Sequence, residues 1–183
     1  MSFVRYIDDN PDALQEQTLQ TLYPGTTTGK SLTSVVPPQN AIAFVRKLAS
    51  GAKAVANASA CGSVLAGQTS ESDEHEDVGV WLAPGEYGAG HERDAIEALG
   101  FKIWRNKKVS PLKLDATTHL PETFRPAGAT DDQAAFSALL AELRDLTFFA
   151  VEGGPGSSTA YVLLGRMDND DGWAGLIGVG ISS

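Results

Sequence analysis

Cysteine is almost missing from this chain of 183 residues. Cys61 is the only one, so no intrachain disulfide can form and no cysteine-rich zinc site exists. A long apolar run is missing too. The start, Met1-Ser2-Phe3-Val4-Arg5, lacks the apolar core of a secretion signal, and no stretch approaches membrane-spanning length. These absences lead us to expect a cytoplasmic protein. Basic residues are also in deficit: 14 Lys and Arg against 23 Asp and Glu give a net charge of −9. Such a balance argues against nucleic acid or an anionic membrane as a partner. It favours a basic protein, a cationic ligand or plain solubility.

Several catalytic and ligand-binding signatures are incomplete or missing. Gly25-Thr26-Thr27-Thr28-Gly29-Lys30-Ser31 resembles a phosphate-binding loop, but it has three residues between its glycines where four are needed, and no strand leads into it. It reads as a Thr-rich linker. Asp168-Asn169-Asp170-Asp171-Gly172 lacks the distant glutamate of a calcium loop and reads as a hairpin turn. His91-Glu92 has no second histidine four residues on. No Gly-x-Ser-x-Gly elbow and no dinucleotide fingerprint occurs. We expect no catalytic residue, no cofactor and no bound metal. A small metal-dependent hydrolase built on His75, Glu74 and Asp77 is the weaker alternative.

What the chain does have is a dense acidic stretch. Ser70-Glu71-Ser72-Asp73-Glu74-His75-Glu76-Asp77 places five carboxylates and one imidazole within seven residues. Val78-Gly79-Val80-Trp81-Leu82 follows, and its alternation predicts a half-buried strand that fixes the end of the acidic loop. Packed like charges favour a cation or a basic partner.

The remaining pattern is that of an α+β protein. A helix capped by Asp9 or Asn10 carries Leu14, Leu19 and Leu22 as its apolar stripe. Residues 25–39 are rich in Thr, Ser, Gly and Pro, so residues 1–39 read as an extension with a short helix and a linker. Residues 40–183 form the main domain. A helix begins near Asn40 and runs to about Ala58, and a short one spans His91 to Leu99 with Gly100 as its cap. Phe101–Trp104 alternates as a strand ahead of the basic residues Arg105, Lys107 and Lys108, and Leu112-Lys113-Leu114 alternates again. From Thr130 or Asp131, Phe136, Leu139, Leu140, Leu143 and Leu146 recur at helical spacing over about four turns. Three closing strands joined by short turns imply a mainly antiparallel sheet inside an α/β/α sandwich.

Two of these segments carry a resemblance. Ser70-Glu71-Ser72-Asp73 followed by Val78-Gly79-Val80-Trp81 resembles the Ser-Glu-Ser-(Asp/Glu) loop and following strand of the nuclease A inhibitor family. The run from Phe136 to Leu146, then Tyr161-Val162-Leu163-Leu164-Gly165 and Gly172-Trp173-Ala174-Gly175-Leu176, is similar to that family's closing helix and strands. The similarity extends over about residues 40–183. It implies an α/β/α sandwich and a non-enzymatic protein that occupies the active site of a metal-dependent nuclease. Ser70, Glu71, Ser72 and Asp73 would bind this basic partner, with Glu71 reaching toward its metal, and Ser183 would supply the C-terminal contact. The chain departs from the family at Glu74-His75, where an aromatic-proline pair is usual, and at its last four residues, Gly180-Ile181-Ser182-Ser183. An adaptor module on the same fold, without a nuclease target, is the other alternative.

Overall fold

The computed structural model describes residues 4–8, 10–25, 32–70, 74–126, 128 and 130–182. Six strands form one antiparallel sheet: β1 (Arg5–Ile7), β2 (Val78–Leu82), β3 (Lys108–Leu112), β4 (Arg144–Glu152), β5 (Ser158–Arg166) and β6 (Trp173–Ile181), in the order β1-β2-β6-β5-β4-β3. Among the described residues the α-helices are α1 (Ala13–Leu22), α2 (Gln39–Ala58), α3 (Glu92–Leu99) and α4 (Asp131–Ala141). Two separate apolar cores line the two faces of the sheet. Leu19 and Leu22 of α1 and Ile96 and Leu99 of α3 pack with Val78, Val80 and Leu82 on one face. Val45 and Leu48 of α2 and Phe136 and Leu140 of α4 pack with Trp81, Leu163 and Leu176 on the other. The fold is therefore α+β, with helical layers on both sides of an antiparallel sheet.

That double cover changes the reading of β2. Every residue from Val78 to Leu82 is buried, because α1 lies on one side and α2 on the other. At Gly79, α2 comes so close that a side chain would overlap Val45. The expected N-terminal extension likewise contributes to the sandwich. Its β1 extends the sheet beside β2 (Tyr6 opposite Trp81), and its α1 seals one core. The following segment returns to cover the β1 edge: the Ser34 N–H donates to the Arg5 carbonyl at 2.9 Å, and the Ile7 N–H donates to Thr33 Oγ1 at 3.1 Å.

Local differences from the sequence pattern have identifiable causes. Helix α1 is capped by Asp12, which accepts from the Gln15 N–H at 2.8 Å while Gln15 Oε1 accepts from the Asp12 N–H at 2.9 Å. This reciprocal box makes Asp12 rather than Asn10 the start; Asp9 lies outside the described residues. Its buried face is Gln15, Thr18, Leu19 and Leu22, with Leu14 turned outward. Residues Lys102–Trp104 form a single turn of 3-10 helix rather than a strand. Gly100 adopts the left-handed conformation at φ 74°, and this reversal carries Trp104 inward, where its indole N–H donates to the Leu22 carbonyl at 3.1 Å. The next strand comes earlier than its alternation suggests, at Lys108–Leu112. Helix α4 stops at Ala141. Leu143 and Leu146 continue the helical spacing but belong to the turn and to β4, where Asp145 has φ 53° and the β4–β5 register shifts between Arg144 and Thr147. Gly165 sits beneath them, so close that a side chain there would overlap Leu143.

Candidate functional site

The acidic stretch divides into two parts. Glu71, Ser72 and Asp73, with Ser183, lie outside the described residues. Of the five residues expected to bind a partner, Ser70 is the one described. The stretch from Glu74 to Asp77 is described in full, and its last three residues are not a solvated charge run. His75, Glu76 and Asp77 are 9%, 5% and 4% exposed.

Asp77 is the centre of this arrangement. It stands one residue before β2 and turns its carboxylate toward the α2 side, against β6. Gly178 makes room for it: a side chain there would overlap Asp77 Oδ1. The carboxylate accepts from the Ser63 hydroxyl at 2.5 Å and from the Val64 N–H at 2.7 Å. Ser63 Oγ in turn accepts from the Ala66 N–H at 3.1 Å. One buried carboxylate thus organises the turn that follows α2. Burial pushes the Asp77 carboxyl up to about 7, against the opposing pull of the Ser63 and Val64 hydrogen bonds.

That turn leads directly to Ser70. Leu65 is tied down by the Thr123 hydroxyl, which donates to its carbonyl at 2.7 Å. Gln68 and Arg125 exchange two hydrogen bonds, each 2.7 Å. At the end of the segment, Ser70 Oγ accepts from the Ile181 N–H at 3.0 Å. Gly180 leaves space for this approach, since its nearest neighbours on that side are Tyr161, Ala66 and Ser70. The first residue of the acidic loop therefore sits on the last residue of β6. Ser182 continues the same edge, its N–H donating to the Ser157 carbonyl at 3.1 Å.

Glu76 and His75 are directed elsewhere. The Thr18 hydroxyl donates to the Glu76 carbonyl at 2.6 Å, and Gln15 Nε2 donates to the Asp77 carbonyl at 3.2 Å, so α1 holds this backbone in place. The Glu76 carboxylate lies 3.7 Å from Lys53 Nζ, which pairs with Asp12 at 2.8 Å. Burial, helped by a hydrogen bond with Asp12, raises the Glu76 carboxyl to about 7. Burial also acts on Asp12, but its hydrogen bonds with Glu76, Lys53 and the Gln15 N–H outweigh it and hold that carboxyl at about 2. His75 Nε2 lies 3.4 Å from the Thr21 hydroxyl, and burial lowers its affinity for a proton despite the nearby Glu74. His75, Glu76 and Asp77 thus face three different partners. Among the described residues no three His, Cys, Asp or Glu side chains converge on a common point.

The sequence pattern singles out Glu71 through the resemblance and sets Asp77 beside His75 and Glu74 as a metal-site alternative, with no sign that Asp77 is buried against β6. The signal that separates it lies elsewhere in the chain, in Gly178 of β6 and in Ser63. The other end of the sheet carries a second acidic group. There Asn40 Nδ2 donates to Asp171 at 2.9 Å, Arg144 pairs with Asp168 at 3.3 Å and Arg166 with Asp145 at 3.1 Å. Among the described residues no helix is long and apolar enough to cross a membrane. Comparison of the chain with protein-family models, with curated proteins and with solved structures finds no match.

Proposed function

We propose that this chain is a non-enzymatic, nuclease-inhibitor-like protein acting in the cytoplasm. Its loop Ser70–Asp73, together with Ser183, would occupy the active site of a metal-dependent nuclease. The observation that carries the reading is the hydrogen bond from the Ile181 N–H to Ser70 Oγ at 3.0 Å. It ties the first residue of the loop to the end of the last strand. Glu71 follows Ser70 directly in the chain, and Ser183 follows Ile181 by two residues. Two segments 111 residues apart in sequence thus meet at Ser70 and Ile181, which supports the reading.

The chemistry is coherent. A nuclease site holds phosphate with a divalent ion and basic side chains. Carboxylates presented on a loop imitate that phosphate, and a net charge of −9 speeds encounter with a basic partner. A loop fastened at Ser70 and again at Asp77 loses less freedom on binding than a free one, which favours affinity.

The test is affinity capture. The full chain, immobilised, is exposed to native extract from its source, and eluted protein is assayed for metal-dependent cleavage of DNA and RNA. The reading expects nuclease activity in the wild-type eluate and its loss when Glu71→Ala is the bait. Specific capture of a protein without nuclease activity would favour the adaptor alternative instead.

A further inference from the structure

The seven residues from Lys102 to Lys108 contain no carboxylate and four cations, Lys102, Arg105, Lys107 and Lys108. In a chain of net charge −9 this is a local inversion of sign. The segment is held in shape rather than merely solvated. A fifth cation, Arg93 on α3, donates to the Arg105 carbonyl at 2.8 Å and to the Lys107 carbonyl at 3.1 Å. From beneath, the fully buried Trp104 anchors it through the Leu22 carbonyl. The four cations are exposed. Arg105 pairs with Glu97 at 3.3 Å and Lys108 with Glu152 at 3.5 Å; exposed pairs of this kind contribute little and exchange readily for another carboxylate. Among the described residues Lys102 and Lys107 meet no carboxylate. The Lys107 stem lies near Gly153 in the β4–β5 turn, and Ile103, between the two basic flanks, is 41% exposed.

Structural roles account for part of this. Cations beyond a helix C-terminus complement its dipole, and a lysine opening an edge strand discourages pairing with another sheet. Those effects explain Lys102 and Lys108. They do not explain why a guanidinium is used to hold the backbone between them, nor the exposed Ile103, nor Lys107, which meets no carboxylate among the described residues.

We propose that Lys102–Lys108 is a docking surface for an acidic protein segment, a short stretch of carboxylates around an apolar residue that packs on Ile103. A nucleic acid or anionic membrane extends its charge far beyond one loop and would meet Glu97, Glu152 and the negative field of the whole chain. A short acidic segment meets only the patch. This surface is independent of the nuclease reading, which concerns the opposite sign of charge.

The test uses the full chain and a fluorescein-labelled peptide of repeated Glu-Glu-Leu units, followed by fluorescence anisotropy. The wild type should bind it, more weakly as salt is raised. The double reversal Lys102→Glu with Lys107→Glu should weaken binding by about tenfold or more, because it replaces attraction by repulsion at the contact. Lys47→Glu with Lys113→Glu changes net charge equally on other surfaces and should leave most of the binding in place. Three results would each overturn the proposal: no binding by the wild type at low salt, equal loss in both double variants, or tighter binding of a single-stranded oligonucleotide of matched charge.

Discussion

The Ser70 end and the Asp77 end of the acidic stretch are seven residues apart and have opposite physical characters. Ser70 is half-buried and meets β6 through its hydroxyl. Asp77 is buried, accepts from Ser63 and Val64, and fills space that Gly178 leaves open. What separates them is their distance from β2. A residue adjoining a strand covered on both faces is drawn into the core whatever its charge, and its partners must then come from the protein. A run of carboxylates is therefore not one functional unit: its inner end, at Asp77, builds the platform, and partner contact is proposed for the segment that begins at Ser70.

The comparison can be broken at several points. The largest effect is expected at Asp77→Ala, which leaves the Ser63 hydroxyl and Val64 N–H buried without their acceptor. The loss should be on the order of 3 kcal/mol, a fall in unfolding midpoint of roughly 6–12 °C for a chain of this size. A thermal melt within a degree or two of wild type would remove Asp77 from its organising role. Next comes pH. Asp77 and Glu76 are raised to about 7 from ordinary values of 3.8 and 4.5. Between those limits the folded chain binds more protons than the unfolded one. Their contribution is thus full at the acid end and is lost as pH rises through about 7. Asp12, held at about 2 against 3.8, acts oppositely, and its contribution is lost as pH falls through that lower window. Urea unfolding across pH should show the decline toward neutrality, and Asp77→Asn should flatten it.

Gly178→Ala tests the same packing from the facing strand. Its added methyl group overlaps the Asp77 carboxylate, and the expected cost is about 1–3 kcal/mol in urea unfolding. The smallest effect belongs to Lys53→Ala. Lys53 is 47% exposed, so losing its pairs with Asp12 and Glu76 should cost less than about 1 kcal/mol. A larger loss would show that the Asp12–Glu76–Lys53 group holds α1 to the sheet more strongly than its exposure suggests.

The sequence pattern makes much of the frame legible. Val78–Leu82, α2 to Ala58, and α3 with its Gly100 cap stand where apolar spacing and end signals put them, and the three closing strands form the antiparallel run that their short turns imply. The misses share a cause: tertiary contact overrode local pattern. Strand β1 has three residues, too few for alternation to show, and exists because β2 offers an edge. Phe101–Trp104 alternates, yet Trp104 is drawn inward by the Leu22 carbonyl. Leu143 and Leu146 keep helical spacing after the helix has ended, because the same core lies under helix, turn and strand. At the site, the acidic stretch was visible from composition. Its division was not, because the groups that bury Asp77 come from Ser63 and Gly178, distant in sequence and chemically inconspicuous.

The division of labour is tested most directly by the inhibition constant of Glu71→Ala against a metal-dependent, non-specific endonuclease from the same source, measured beside wild type. The account predicts inhibition by wild type at micromolar concentration or below and a loss of about tenfold or more in Glu71→Ala, on the scale of a charge contact removed from an interface. Equal inhibition by both proteins, or none by either, would contradict it.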